Sequence, residues 1–75
     1  GRARHDAEQA ERAEVARRVR RSIERSGLTS AEFARAVGTS ASRLSTYGTG
    51  RVVPSAAMLV RIERAAGLDP SAASR

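Results

Sequence analysis

From Gly27 onward, glycine punctuates this sequence at intervals that leave room only for short, capped helices. After Gly27 the chain reads Leu28-Thr29-Ser30-Ala31-Glu32, runs on to Gly38 and restarts at Thr39-Ser40. Thr29 and Glu32 have the spacing of a capping box, in which the threonine hydroxyl accepts from the Glu32 amide and the glutamate reaches back to the Thr29 amide. That pattern predicts a helix start, and Gly38 stops the helix about two turns later. Ser40 is a good N-cap for a second short helix over 41–47, closed by Gly48 and Gly50. Phe33, Ala34 and Val37 on the first helix, and Leu44 and Tyr47 on the second, fall on the inward sides.

The flanking segments are also helical. Nothing breaks a helix from Glu8 to Ser26, so one helix is predicted over 6–26, with Gly27 just past its end. Its apolar stripe is Val15, Val19 and Ile23 with Ala16 beside it. Before Val15 the only apolar residues are alanines, so the first two turns are expected to bury little and to fray. Glu8–Arg12, Glu14–Arg18 and Arg20–Glu24 are i,i+4 pairs, each worth about 0.2–0.5 kcal/mol. Downstream, Arg51-Val52-Val53-Pro54 reads as a loop, since a proline biases the residue before it away from helix. Ser55 caps a helix predicted over 56–66, with Met58, Leu59, Ile62 and Ala66 inward and Gly67 at its end. Asp69-Pro70 is a restart signal for a last turn over 70–74. The expected organisation is a helical arm over 1–12, one domain over 13–68, and the start of a further helix or a linker over 69–75, with no repeat and no strand.

Composition excludes several function classes. A chain of 75 residues is one domain. It has room for a small bundle and not for a two-lobed enzyme around a buried cleft. It contains 15 Ala and 14 Arg, both strong helix formers, with one Phe, one Tyr and no Trp. No cysteine is present, so there is no disulfide framework and no thiolate metal site. His5 is the only imidazole. Neither a metal, a cofactor nor a small-molecule ligand is expected, and Ser45 has no His or Lys to act as its base. The 15 residues from Thr46 to Val60 carry a single charge, Arg51, but are rich in Gly, Ser and Thr, so no membrane span is predicted. A chain that opens on Gly1 rather than Met is expected to be a piece of a longer protein, with Gly1 a possible tag remnant.

Charge points to a polyanion. Fourteen arginines, no lysine and 8 acidic residues give a net charge of +6, which suits nucleic acid, an anionic membrane or an acidic partner. The distribution is uneven. Between Glu32 and Glu63 lie 30 residues without a carboxylate, and Arg35, Arg43, Arg51 and Arg61 fall among them. Phosphate neutralisation needs such a stretch. The helix starts at Thr29 and Ser40 add oriented N–H groups that suit phosphate oxygens.

The residues from Leu28 to Ser40, with Leu44-Ser45, Gly50, Arg51 and Pro54, resemble the helix-turn-helix of the lambda repressor, Cro and XRE-type regulators. The resemblance covers about residues 13–68 and holds in register over 27 residues. It implies an all-α, compact four- to five-helix bundle of the lambda-repressor-like type that binds double-stranded DNA, with 41–47 as recognition helix in the major groove. The family's base-reading positions fall on Ala41, Ser42 and Thr46, with Ser40 and Arg43 beside them. Its phosphate-binding positions fall on Ser30, Thr49 and Arg51, and the helix start at Thr29 joins these. Arg21 and Arg25 are minor phosphate candidates on a helix whose arginines otherwise read as a solvated face. Family members usually bind as homodimers on two-fold related half-sites, and a cytoplasmic, nucleoid-associated protein is implied.

Departures from that family keep other readings open. Ser30 and Ala41 stand where a glutamine is common, and Gly48 and Thr49 replace an acid and an asparagine. Arg43 is then the one long side chain on the recognition helix able to make a bidentate contact to guanine. A regulator's DNA-binding domain is the first reading. A protein-interaction module of the same fold, antitoxin-like or a scaffold, is the second, and a DNA-targeting accessory domain of a larger protein is the third. Phe33 reads as core, and Tyr47 as core with an exposed hydroxyl or as a stacking residue. Met58 reads as core or interface.

Overall fold

Residues 2–67 are described by the computed structural model, with side chains described over 7–67. Four helices follow in order: α1 (Arg2–Ser26), α2 (Ser30–Val37), α3 (Ala41–Gly48) and α4 (Ala56–Ala65). The first helix starts at Arg2 rather than at residue 6, since Arg2, Ala3 and Arg4 are strong helix formers and neither Gly nor Pro interrupts the run. Helix α3 runs one residue beyond the expected end and α4 stops one short of it, at Ala65. The turn expected after Asp69-Pro70 lies outside the described residues.

Caps set the helix boundaries. The capping box is formed: the Glu32 amide donates to Thr29 Oγ1 at 3.2 Å, and the Thr29 amide donates to Glu32 Oε1 at 2.9 Å. Ser40 and Ser55 cap α3 and α4 through 3.1 Å bonds from the Arg43 and Met58 amides. Gly38 sits at φ 91°, ψ 34°, in the left-handed region that a side chain disfavours. Its amide and that of Thr39 both donate to the Ala34 carbonyl, at 2.9 and 2.8 Å, which turns the chain sharply into α3.

The core is small and mostly aliphatic, with the chain's one Phe and one Tyr both drawn into it. Val19, Phe33, Ala34, Val37, Leu44, Tyr47 and Ile62 form one buried cluster. Val15, Ile23, Met58, Leu59 and Ala66 pack on its margin, partly buried. Helix α1 lies against α4 and α3, and α2 lies against α3 and α4, so each motif helix is braced from two sides. Ala34 is 1% exposed and Phe33 0%, which places both at the centre of this packing. On α1 the burial begins at Val15, and the side chains of residues 7–14 are all exposed.

The α1 ion pairs differ from those expected. Glu14 pairs with Arg17, not Arg18, through bonds of 2.7 and 3.0 Å. Arg18 instead reaches across to Glu63 on α4, with Nη2 on Oε1 at 2.8 Å and Nε on Oε2 at 2.9 Å. Glu63 is 8% exposed, and a carboxylate held out of water needs this planar, two-bonded partner. Arg20 does not pair with Glu24; its Nη1 donates to the Gly48 carbonyl at 2.7 Å. Glu8 and Arg12 do not pair with each other and instead line one groove with Glu11, Val15 and Val53. Ser22, fully buried in α1, satisfies its hydroxyl on the Arg18 carbonyl at 2.9 Å.

Candidate nucleic-acid interface

Leu44 and Tyr47 anchor α3 in the core, and their burial decides what the rest of the helix presents. With those two inward, Ala41, Ser42 and Arg43 are exposed and Thr46 is half-buried. Ser40, Ser42, Arg43 and Thr46 line a shallow groove together with Tyr47 and Val52. Four of the five expected base readers therefore share one surface, and Ala41 is exposed beside it. The Arg43 side chain forms no ion pair and no hydrogen bond within the described part of the chain, so its five donors are available.

The hydroxyls differ in what they have left to offer. Thr46 Oγ1 donates to the Arg43 carbonyl at 2.6 Å, and Thr49 Oγ1 donates to the Thr46 carbonyl at 3.2 Å. Both protons are thus used at the end of α3. Ser40 accepts the Arg43 amide and keeps its own proton free. Ser42 and Ser30 make no side-chain bond among the described residues and are exposed. At Thr29 both the amide and the hydroxyl are engaged with Glu32, which puts a carboxylate at the start of α2. The start of α3 has no acidic residue in its first turn.

Charge around the groove is one-sided. Arg51 is exposed in the loop that follows α3, beside Thr49. Arg21 and Arg25 are exposed on α1, outside the groove, as are Thr29 and Ser30. The carboxylates nearest in sequence are both tied up. Glu32 is held below the usual glutamate range by the Thr29 amide and hydroxyl, and Glu63 is bound to Arg18. That pairing raises the Arg18 guanidinium above its ordinary value, chiefly through the hydrogen bond and against a desolvation penalty. On the far side of α1, Arg17 holds Glu14 below its ordinary value through their hydrogen bond.

Two features were outside the reach of the sequence. Val52 joins the groove because its amide donates to the Thr46 carbonyl at 3.2 Å, which folds the loop back on the last turn of α3. Arg20 fixes the end of the same turn from α1. A Cβ at Gly48 would lie 3.6 Å from Arg20 Cγ, an ordinary contact, so the approach of Arg20 does not depend on a glycine there. No helix among the described residues is long and apolar enough to cross a membrane.

The family model of a helix-turn-helix domain matches residues 14–75. No curated protein and no solved structure matches the chain.

Proposed function

This chain belongs to the helix-turn-helix domain family, and from that premise we propose that it binds duplex DNA in a sequence-specific way, as the DNA-binding domain of an XRE-type transcription regulator. In this reading α3 enters the major groove. The observation that carries it is that Ser40, Ser42, Arg43 and Thr46 line one groove, with Ala41 beside it, in a stretch with no carboxylate between Glu32 and Glu63. Arg43 reads guanine through O6 and N7, and the small side chains around it let the helix approach the base edges closely. Arg51 and Ser30 bind phosphate, Thr49 joins them by turning its hydroxyl away from the Thr46 carbonyl, the open start of α3 at Ser40 adds its amides, and Arg21 and Arg25 contribute at the margin. Thr29 acts at one remove, by capping α2 and so holding Ser30 in place. A homodimer on two-fold related half-sites supplies the specificity that small readers alone lack.

A second reading, a protein-interaction module of the same fold, draws support from the groove between Glu8, Glu11, Val15 and Val53, where Val53 is 46% exposed. Binding to a mixed-sequence duplex at rising salt separates the two. The DNA-binding reading expects affinity to fall linearly with salt on logarithmic axes. It also expects Arg51→Ala to reduce that slope by about one unit and to weaken all sequences alike. No duplex binding at low salt leaves the interaction module standing.

A further inference from the structure

Val52 is 48% exposed, one of three large hydrophobic residues exposed among the described part of the chain, with Leu28 and Val53. It is not part of the buried cluster and adds nothing to the core. Its backbone is nevertheless fixed, through the 3.2 Å bond from its amide to the Thr46 carbonyl. The isopropyl group is held beside Ser42, Arg43 and Thr46 on the groove, while the next residue, Val53, lines the separate groove against α1. The end of the first groove is therefore apolar in character. Thr46 has already spent its hydroxyl proton on the Arg43 carbonyl, so it offers a base no donor. Major-groove base edges present one apolar group, the C5-methyl of thymine, or of cytosine when methylated there.

We propose that Val52 seats the C5-methyl of a pyrimidine, which makes it a specificity-determining residue outside the recognition helix. The proposal rests on the DNA-binding reading above and deepens it. Arg43 selects guanine by hydrogen bonding, and Val52 selects a methylated pyrimidine edge by excluding water from it. The two contacts lie on the same groove, so they read base pairs within one half-site.

The test uses a duplex that the protein enriches from a random pool. Each thymine is replaced singly by deoxyuridine, which removes the methyl group and leaves every hydrogen-bonding atom unchanged. One replacement is expected to weaken wild-type binding about two- to fourfold, the worth of one methyl group partly or wholly withdrawn from water. Val52→Ala is expected to lose a similar factor on the thymine duplex and to bind the thymine and uridine duplexes alike. Val52→Thr, which keeps the side-chain volume, is the second variant and is expected to fall between the two; circular dichroism of each variant verifies its fold. The proposal is overturned if no thymine position is sensitive to uridine, or if Val52→Ala still tells the two duplexes apart. Either result leaves DNA binding itself intact, whereas no binding to any duplex overturns the DNA-binding reading and this inference together.

Discussion

Arg20 on α1 donates a 2.7 Å hydrogen bond to the carbonyl of Gly48, the last residue of α3. A helix C-terminus carries unsatisfied carbonyls and a partial negative charge, and a guanidinium answers both. Arg20 thereby ties the helix that carries Ser42, Arg43 and Thr46 to the longest element of the fold. Arg20→Ala is expected to cost about 1 kcal/mol or less in stability, because the bond is exposed to water. DNA affinity should fall by more than that stability loss accounts for, through a looser α3. Arg20→Lys, which keeps a cation, should recover part of it. Duplex titrations beside thermal melts measure the two effects, and an unchanged affinity for Arg20→Ala would show that the contact does not position α3.

The Arg43 side chain has no partner among the described residues and stands on the exposed side of α3. Arg43→Ala should weaken binding and relax the preference at one base pair by about 1–3 kcal/mol. The measurement is a comparison of affinities across single-base variants of an enriched duplex. A uniform loss on every variant would reassign Arg43 from base to phosphate.

The Arg18–Glu63 pair joins α1 to α4 across 45 residues of sequence, with Arg18 39% and Glu63 10% exposed at the side chain. Replacing Glu63 by Ala leaves a guanidinium that regains some water, so the cost should be moderate, about 1–3 kcal/mol. A double-mutant cycle with Arg18→Ala, read by urea unfolding, should return a coupling energy of about 1 kcal/mol or more. Coupling near zero would mean that the two side chains contribute independently and that α4 docks through its apolar residues alone.

Glu32 gives the fold an acid-sensitive cap. Its carboxylate is held below the ordinary glutamate value of 4.5 by hydrogen bonds from Thr29. A depressed folded-state value means that the stabilisation is present above the unfolded value and is lost as pH falls through the folded one. Wild type should therefore melt higher than Glu32→Ala near neutral pH, and the gap should shrink as pH drops below the ordinary glutamate range. Melting curves across that range check it; a gap independent of pH would mean that the capping box acts without the carboxylate charge.

Most of this architecture was written in local signals. Thr29 with Glu32, Ser40, Ser55 and Gly38 each act within four residues of themselves, and each cap formed where the sequence placed it. Phe33, Ala34, Val37, Leu44 and Tyr47 followed from helical periodicity once the ends were fixed. What escaped was long-range choice among equivalent partners. Arg18 and Arg20 each had a glutamate four residues away, and both took partners on other helices instead. Periodicity shows that a side chain can reach its neighbour, but not that a more buried carboxylate or a bare helix end lies within the same reach. The burial of Ser22 escaped for the same reason. Its hydroxyl is satisfied within α1, which lets a polar residue sit on the packed face. Val52 escaped because it joins the groove through a backbone bond from an irregular loop, and no side-chain pattern announces one.

Helix α1 is one continuous element, yet among its described side chains only those from Val15 onward are covered. From Ala7 to Glu14 every side chain is exposed, and burial starts with Val15 and Ala16. Unwinding those early turns uncovers no part of the core, so the energy that holds them comes from alanine, glutamate, glutamine and arginine as helix formers. Helix nucleation is already met by the buried half, so the exposed half needs only to propagate from it. These turns are therefore expected to follow helix–coil statistics, shortening turn by turn with temperature, while the packed helices are expected to melt as a single cooperative unit.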